Sequence, residues 1–128
     1  MGAWGVSPWD NDAAADWFGD LFDATKLADK VEEALQLDAE DSHEEIRAAA
    51  AMVVMLGRVY IWPIEKYDQH LELAVSRLKE LRELEIYQEA PEFLAAIDDE
   101  IALLQARLSK EKGSQSKGWS ELWDRPSE

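Results

Sequence analysis

Apolar residues recur at intervals of three and four along two long stretches of the chain. The first set is Ile64, Tyr67, Leu71, Ala74, Leu78 and Leu81, and the second is Leu94, Ile97, Ile101, Leu104 and Leu108. This spacing places each set on one face of an α-helix, over about residues 64–85 and 91–112. Pro91 suits the first position of the second helix. Two matching seams joined by a short connection predict an antiparallel helical hairpin packed near a crossing angle of roughly +20°.

Three more helices are predicted before this hairpin. The first runs to about Asp23 after a cap at Asp10 or Asn11, and the second runs from a cap at Thr25 to about Leu35. A third, over about 43–60, follows a capping-box pattern of Ser42 with Glu45. Because its centre is apolar nearly all round, we expect it to be the central core helix.

The pattern therefore predicts an all-α fold: a single compact bundle of about five helices. The sequence predicts no β-strand, because no sustained alternation of apolar and polar residues occurs. Residues 1–112 are predicted to form this bundle. Residues 113–128 are predicted to be a flexible linker and a C-terminal tail whose Trp119 and Trp123 form a docking latch.

The first helix is predicted to have one buried and one acidic side. Its buried stripe is predicted as Ala13, Trp17, Leu21 and Ala24, with Phe18 beside it. Its opposite side carries Asp12, Asp16, Asp20 and Asp23. The loop before it holds Trp4 and Trp9, which are large apolar side chains suited to fixing a chain terminus, so we expect that loop to be ordered.

The charge of the chain restricts its partners. The net charge is −15, and residues 1–41 hold eleven acidic residues against two lysines, a local net charge of −9. Nucleic-acid binding depends on Lys and Arg that neutralise phosphates, so this balance argues against it. A basic protein partner fits the charge. We also expect no membrane segment, because the longest apolar stretch is about half of a bilayer span, and we expect a cytoplasmic location.

The sequence gives little sign of catalytic or metal chemistry. It contains no cysteine, which excludes disulfides, thiolate ligands and thiol nucleophiles. Asp10-Asn11-Asp12 resembles the start of a calcium loop, but Ala14, Ala15 and Leu21 stand where that loop needs ligands and glycine. His43 is expected to be exposed and His70 to be satisfied or solvated. We therefore predict no catalytic residue, no cofactor and no metal ligand.

The N-terminal residues carry a family resemblance. The segments Met1-Gly2-Ala3-Trp4-Gly5, Trp9-Asp10-Asn11-Asp12-Ala13-Ala14, Asp16-Trp17 and Gly19-Asp20-Leu21 resemble the signature of a bacterial family named domain of unknown function 4259. The resemblance is specific over residues 1–22 and general over the rest. It implies a small helical bacterial protein, and it brings no activity, cofactor or catalytic residue.

Three functional hypotheses follow. The first is a non-enzymatic interaction module whose surface, Trp9, Asp10, Asp12, Asp16, Asp20 and Asp23, binds a basic protein partner; in one version the partner is a toxin that it neutralises. The second is a hydrolase or metal-dependent enzyme that uses Asp10, Asp12, Asp16 and His70. The third is a homodimeric scaffold formed through the seam of the fourth and fifth helices. The sequence leaves open whether the protein is a monomer or a homodimer.

Overall fold

The described residues form six α-helices and no strand, so the fold is the all-α helical bundle that the apolar spacing predicts. The structure is a computed structural model that describes residue 8 and residues 11–113, with side chains through residue 109. Its helices are α1 (Asp12–Thr25), α2 (Leu27–Leu35), α3 (His43–Leu56), α4 (Tyr67–Arg82), α5 (Glu85–Gln88) and α6 (Pro91–Gly113). A short 3-10 turn, Ile64–Lys66, precedes α4. The predicted tail residues Trp119 and Trp123 lie outside the described residues.

Helix α4 is the centre of the bundle. It packs most extensively against α6 and α3, and it also contacts α2 and α5. Its buried side chains are Tyr67, His70, Leu71, Ala74, Val75, Leu78 and Leu81, and those of α6 include Ile97, Ile101 and Leu104. Both predicted seams therefore face the core, except that Ile64 is 64% exposed because it lies in the turn before the helix. The antiparallel hairpin of these two helices and its crossing angle stay predictions.

The prediction that the third helix is central was wrong. Helix α3 buries Ile46, Ala49, Ala50 and Val53, but Met55 is 59% exposed. The helix also ends at Leu56 rather than near Tyr60, and the Gly57 N–H donates to the Val53 carbonyl at 2.7 Å. A Cβ atom at position 57 would overlap that carbonyl oxygen, so this end of the helix requires glycine. The alanine-rich centre of α3 makes this helix apolar on all sides, but other helices do not pack against every side of it.

Two predicted helix caps were wrong. The Ser42 side chain makes no capping hydrogen bond, so the predicted capping box is not formed. Thr25 does not cap α2, because its hydroxyl donates back to the Leu21 carbonyl at 2.7 Å within α1. Instead Lys26 separates α1 from α2 in the left-handed conformation, with φ 55° and ψ 36°. The two helices are thus joined by a single-residue corner.

Within the described part of the chain, no helix is both long enough and apolar enough to cross a bilayer.

Candidate interaction surface

Helix α1 carries most of the predicted surface, and its start is held by a side-chain cap. Asn11 is extended, and its Oδ1 accepts a hydrogen bond from the Ala14 N–H at 2.8 Å. Asp12 follows in the first turn, where its negative charge complements the helix dipole. Of the two candidate caps, Asn11 is therefore the one used. Trp9 and Asp10, the first two residues of the predicted surface, lie outside the described residues.

The predicted acidic stripe of α1 faces solvent. Its side chains are all exposed: Asp12, Asp16, Asp20 and Asp23. Over eleven residue steps they extend along the helix for about 16 Å. Among the residues that the structure describes, none of the four forms a salt bridge. The stripe is therefore a row of negative charge that is available to a cationic partner.

Trp17 borders this acidic stripe, and the prediction that it is buried was wrong. Its side chain is 61% exposed and meets the Phe18 ring edge-on at a centroid distance of 5.3 Å. The core face of α1 is instead formed by Phe22, which is buried, and Phe18, which is partly buried. On the helix, Trp17 lies roughly 60° around the axis from Asp20. An exposed indole thus stands directly beside exposed carboxylates.

An open groove of about 440 Å³ borders the other side of the stripe. Ala15, Gly19 and Phe22 line it from α1, and the segment from Val59 to Glu65 lines it from across. A Cβ atom at Gly19 would meet no atom of the described residues within 4 Å, so no described backbone segment packs closely against this glycine. The missing side chain leaves a notch in the groove.

Tyr60 connects the groove to the acidic stripe. Its φ of 75° places a non-glycine residue in the left-handed region, which L-residues rarely adopt. Burial raises the pKa of its hydroxyl, and the negative charge of Asp12 raises it further. Ile64, in the same groove, is 64% exposed. The acidic stripe is therefore flanked on both sides by aromatic or aliphatic surface.

His70 is a fully buried side chain whose two ring nitrogens both have partners. The Trp62 indole N–H donates to Nδ1 at 3.0 Å, so Nδ1 must be an acceptor and the ring proton must lie on Nε2. Nε2 lies 2.9 Å from Oε1 of Glu32, to which it donates. The pair joins α4 to α2, and Trp62 packs edge-on against Phe22 of α1. His70 is thus a satisfied structural histidine, as expected.

The Glu32 carboxylate completes this network. The hydrogen bond from His70 lowers the pKa of the Glu32 carboxyl below its ordinary value, although partial burial opposes this effect and Lys66, at 3.8 Å, adds to it. The sequence analysis did not identify Trp62 or Glu32 as partners. Their separations from His70, 8 and 38 residues, reflect tertiary packing and follow no local spacing rule.

A second cleft, of about 470 Å³, lies between α3, α5 and the start of α6. On its wall His43 Nδ1 is 2.9 Å from the Tyr87 hydroxyl, so His43 is only half-exposed rather than free in solvent. Arg47 forms a 2.9 Å salt bridge with Glu100 and lies over the Phe93 ring at 5.7 Å. The aromatic and charged groups of this cleft satisfy one another.

One comparison with known proteins places the chain in a family. The family model described as domain of unknown function (DUF4259) matches residues 2–127. The chain belongs to the DUF4259 family. No curated protein and no solved structure gives a significant match. The predicted resemblance is therefore confirmed, and the match extends from the N-terminal residues over nearly the whole chain.

The DUF4259 resemblance rests on residues that fall partly on α1. Asn11 is the cap, Asp12, Asp16 and Asp20 lie on its exposed face, and Trp17 stands beside them. The remaining segments of the resemblance, before residue 11, lie outside the described residues except for residue 8. The described acidic and histidine side chains form no group of three or more that could hold a metal ion.

Proposed function

We propose that this DUF4259 protein is a non-enzymatic interaction module that binds a basic protein partner through α1. The observation that carries the proposal is Trp17, which is 61% exposed beside the exposed carboxylates of Asp16 and Asp20. Tryptophan is among the residues most enriched at the energetic centres of protein interfaces. A large indole left in water on the outer side of a capped helix is best explained by a partner that covers it.

The charge distribution supports a cationic partner. Residues 1–41 carry a net charge of −9, and the stripe places part of this charge in one exposed row. Complementary potentials accelerate association and select partners. A toxin neutralised by this surface is one version of the proposal, in a bacterial cytoplasm. A toxin gene next to the gene of this protein in its genome would support that version.

Co-purification from the native host, with identification by mass spectrometry at low and at high salt, tests the proposal. A partner held by exposed charges is lost at high salt, because the screening length falls from about 10 Å at 0.1 M to about 3 Å at 1 M ionic strength. We expect a basic protein to be enriched at low salt and depleted at high salt. Enrichment of no protein at low salt would contradict the proposal.

Charge-reversal variants then locate the surface. Asp16→Lys with Asp20→Lys should weaken binding of the captured partner at least about tenfold, since each unfavourable close charge contact contributes on the order of 1 kcal/mol or more. Glu72→Lys with Asp99→Lys is the matched control, because both residues are exposed at mid-helix positions of α4 and α6. Equal affinities of the two double variants would exclude α1 as the binding surface.

The two alternative hypotheses gain no specific support. The enzyme hypothesis needs Asp12 and Asp16 to converge with His70, but the two aspartates are exposed on α1 and His70 is buried with Trp62 and Glu32. The homodimer hypothesis uses the seam of the fourth and fifth predicted helices, whose residues are buried or partly buried within one chain, with the exception of the exposed Ile64. A dimer would need another surface, and light scattering at micromolar concentration measures whether one forms.

A further inference from the structure

The groove between α1 and residues 59–65, which we call the α1 groove, has an aromatic floor that is fixed in the folded protein. Phe22 and Trp62 both line this groove, and both are buried. Their rings meet edge-on at a centroid distance of 5.2 Å, and the Trp62 indole N–H donates to His70 Nδ1 at 3.0 Å. A ligand does not have to order this floor when it binds, which lowers the conformational cost of binding.

Gly19 gives the α1 groove a recess at its middle. Ala15 precedes Gly19 by four residues and Asp23 follows it by four, so the three lining residues lie along one side of α1 over about 12 Å. A Cβ atom at Gly19 would meet no atom of the described residues within 4 Å. Ile64, on the opposite wall, is 64% exposed. The groove therefore offers an apolar side chain both space at Gly19 and apolar surface at Ile64.

The rim of the α1 groove is negatively charged. The residues that line the groove include two acidic ones, Asp23 and Glu65, and no lysine or arginine. On α1, Asp12 and Asp23 lie roughly 20° and 40° around the helix axis from Gly19, on the side of the acidic stripe. A group that enters the recess is therefore bordered by carboxylates from α1 and by Glu65 from the opposite wall. This charge favours lysine or arginine beside the apolar group of a ligand.

We propose that the α1 groove binds a segment of the basic partner in which one large apolar side chain lies next to lysine or arginine. The apolar side chain fills the recess at Gly19, and the basic side chains pair with Asp23 and Glu65. This inference rests on the proposed function, because it names the part of the basic partner that α1 recognises. A second copy of this chain fits the groove less well, because both copies carry a net charge of −15. An apolar anchor in a recess, surrounded by polar contacts, is typical of the energetic centre of an interface.

Selection from a displayed library of random dodecapeptides, with the full chain immobilised at low salt, tests the inference without knowledge of the natural partner. We expect the enriched peptides to share a large apolar residue that lies within one helical turn of lysine or arginine. The same selection on Gly19→Leu should lose this apolar residue from the consensus, because the added side chain fills the recess. Ala102→Leu is the matched control, since it adds the same side chain at an exposed position of α6. It should give the wild-type consensus.

The affinity of one enriched peptide then locates its binding site. Gly19→Leu should bind the peptide at least about tenfold more weakly than Ala102→Leu, because it excludes one apolar side chain from a buried site. Ile64→Ser should also weaken binding, whereas Ile86→Ser, at a similarly exposed position in the other cleft, should leave it unchanged. Glu65→Lys should weaken binding as well. Because Glu65 does not belong to the acidic stripe, its effect separates the groove from the stripe.

The outcomes separate this inference from the proposed function. Enriched peptides that are basic but share no apolar residue, or that bind Gly19→Leu and Ala102→Leu equally, would overturn the inference and leave the basic-partner proposal intact. An enriched set without lysine or arginine, or no enrichment, would overturn the inference as well, and the co-purification then decides the proposed function by itself. Circular dichroism checks that Gly19→Leu is folded. If it is not, equal affinities of Ile64→Ser and Ile86→Ser for the wild-type peptide would overturn the inference.

Discussion

Helices α1 and α4 have similar lengths, 14 and 16 residues, and play opposite roles in the molecule. In average hydropathy α1 is the more apolar of the two. Nevertheless α4 buries seven side chains, whereas α1, all of whose residues the structure describes, buries only Phe22. Helix α4 has neighbours on several sides and α1 packs mainly on α2. Burial therefore depends on where a helix lies among its neighbours, and a peripheral helix can leave even a tryptophan exposed.

The largest expected contrast between these helices is in stability. Leu78→Ala removes a fully buried side chain of α4 and should lower the free energy of unfolding by about 3 kcal/mol. Trp17→Ala removes an exposed side chain of α1 and should change it by less than about 0.5 kcal/mol. Urea unfolding followed by far-UV circular dichroism measures both. A loss at Trp17 as large as that at Leu78 would show that α1 belongs to the core.

The end of α3 is the next most sensitive position. Gly57→Ala should destabilise the protein by about 2 kcal/mol, because its Cβ atom would overlap the Val53 carbonyl oxygen and force the backbone to shift. The same unfolding assay measures the effect. Unchanged stability would show that the last turn of α3 relaxes without loss of packing.

The corresponding substitution in α1 should have the opposite sign. Gly19→Ala adds a methyl group in open space within a helix, so it should stabilise the protein by about 0.5–1 kcal/mol through helix propensity. Thermal unfolding checks the direction. A destabilised Gly19→Ala protein would mean that the notch in the groove beside α1 is occupied in solution.

The smallest expected effect lies in the network that joins α4 to α2. Because His70 lowers the pKa of Glu32, the charged carboxylate stabilises the fold above pH 4.5, and this contribution is lost as pH falls through the lowered pKa. Glu32→Gln should reduce stability by less than about 1 kcal/mol near neutral pH, with the difference from wild type shrinking below pH 4.5. Glu33→Gln, at an exposed neighbouring position, is the matched control for this measurement. A difference that stays constant down to acidic pH would contradict the assignment.

The sequence predicts the buried faces of α4 and α6 better than the buried face of α1, and the reason is physical. The seams of α4 and α6 are predictable because each has one apolar face, so spacing alone gives the buried side. Helix α1 has two candidate apolar faces, one with Trp17 and one with Phe18 and Phe22, and only the position of the neighbouring segments selects the second. The partners of His70 were not predicted, because Trp62 and Glu32 come together only in the folded chain.

The corner at Lys26 limits how the length of α1 can change. Because one residue in the left-handed conformation joins α1 to α2, no loop at this end of α1 is available to absorb an added or deleted residue. Each such change between Asn11 and Phe22 would rotate the stripe residues that precede it by about 100° relative to the Phe22 anchor. Homologues that keep this corner should therefore vary the proposed binding surface by exchanging side chains while the number of residues in α1 stays fixed.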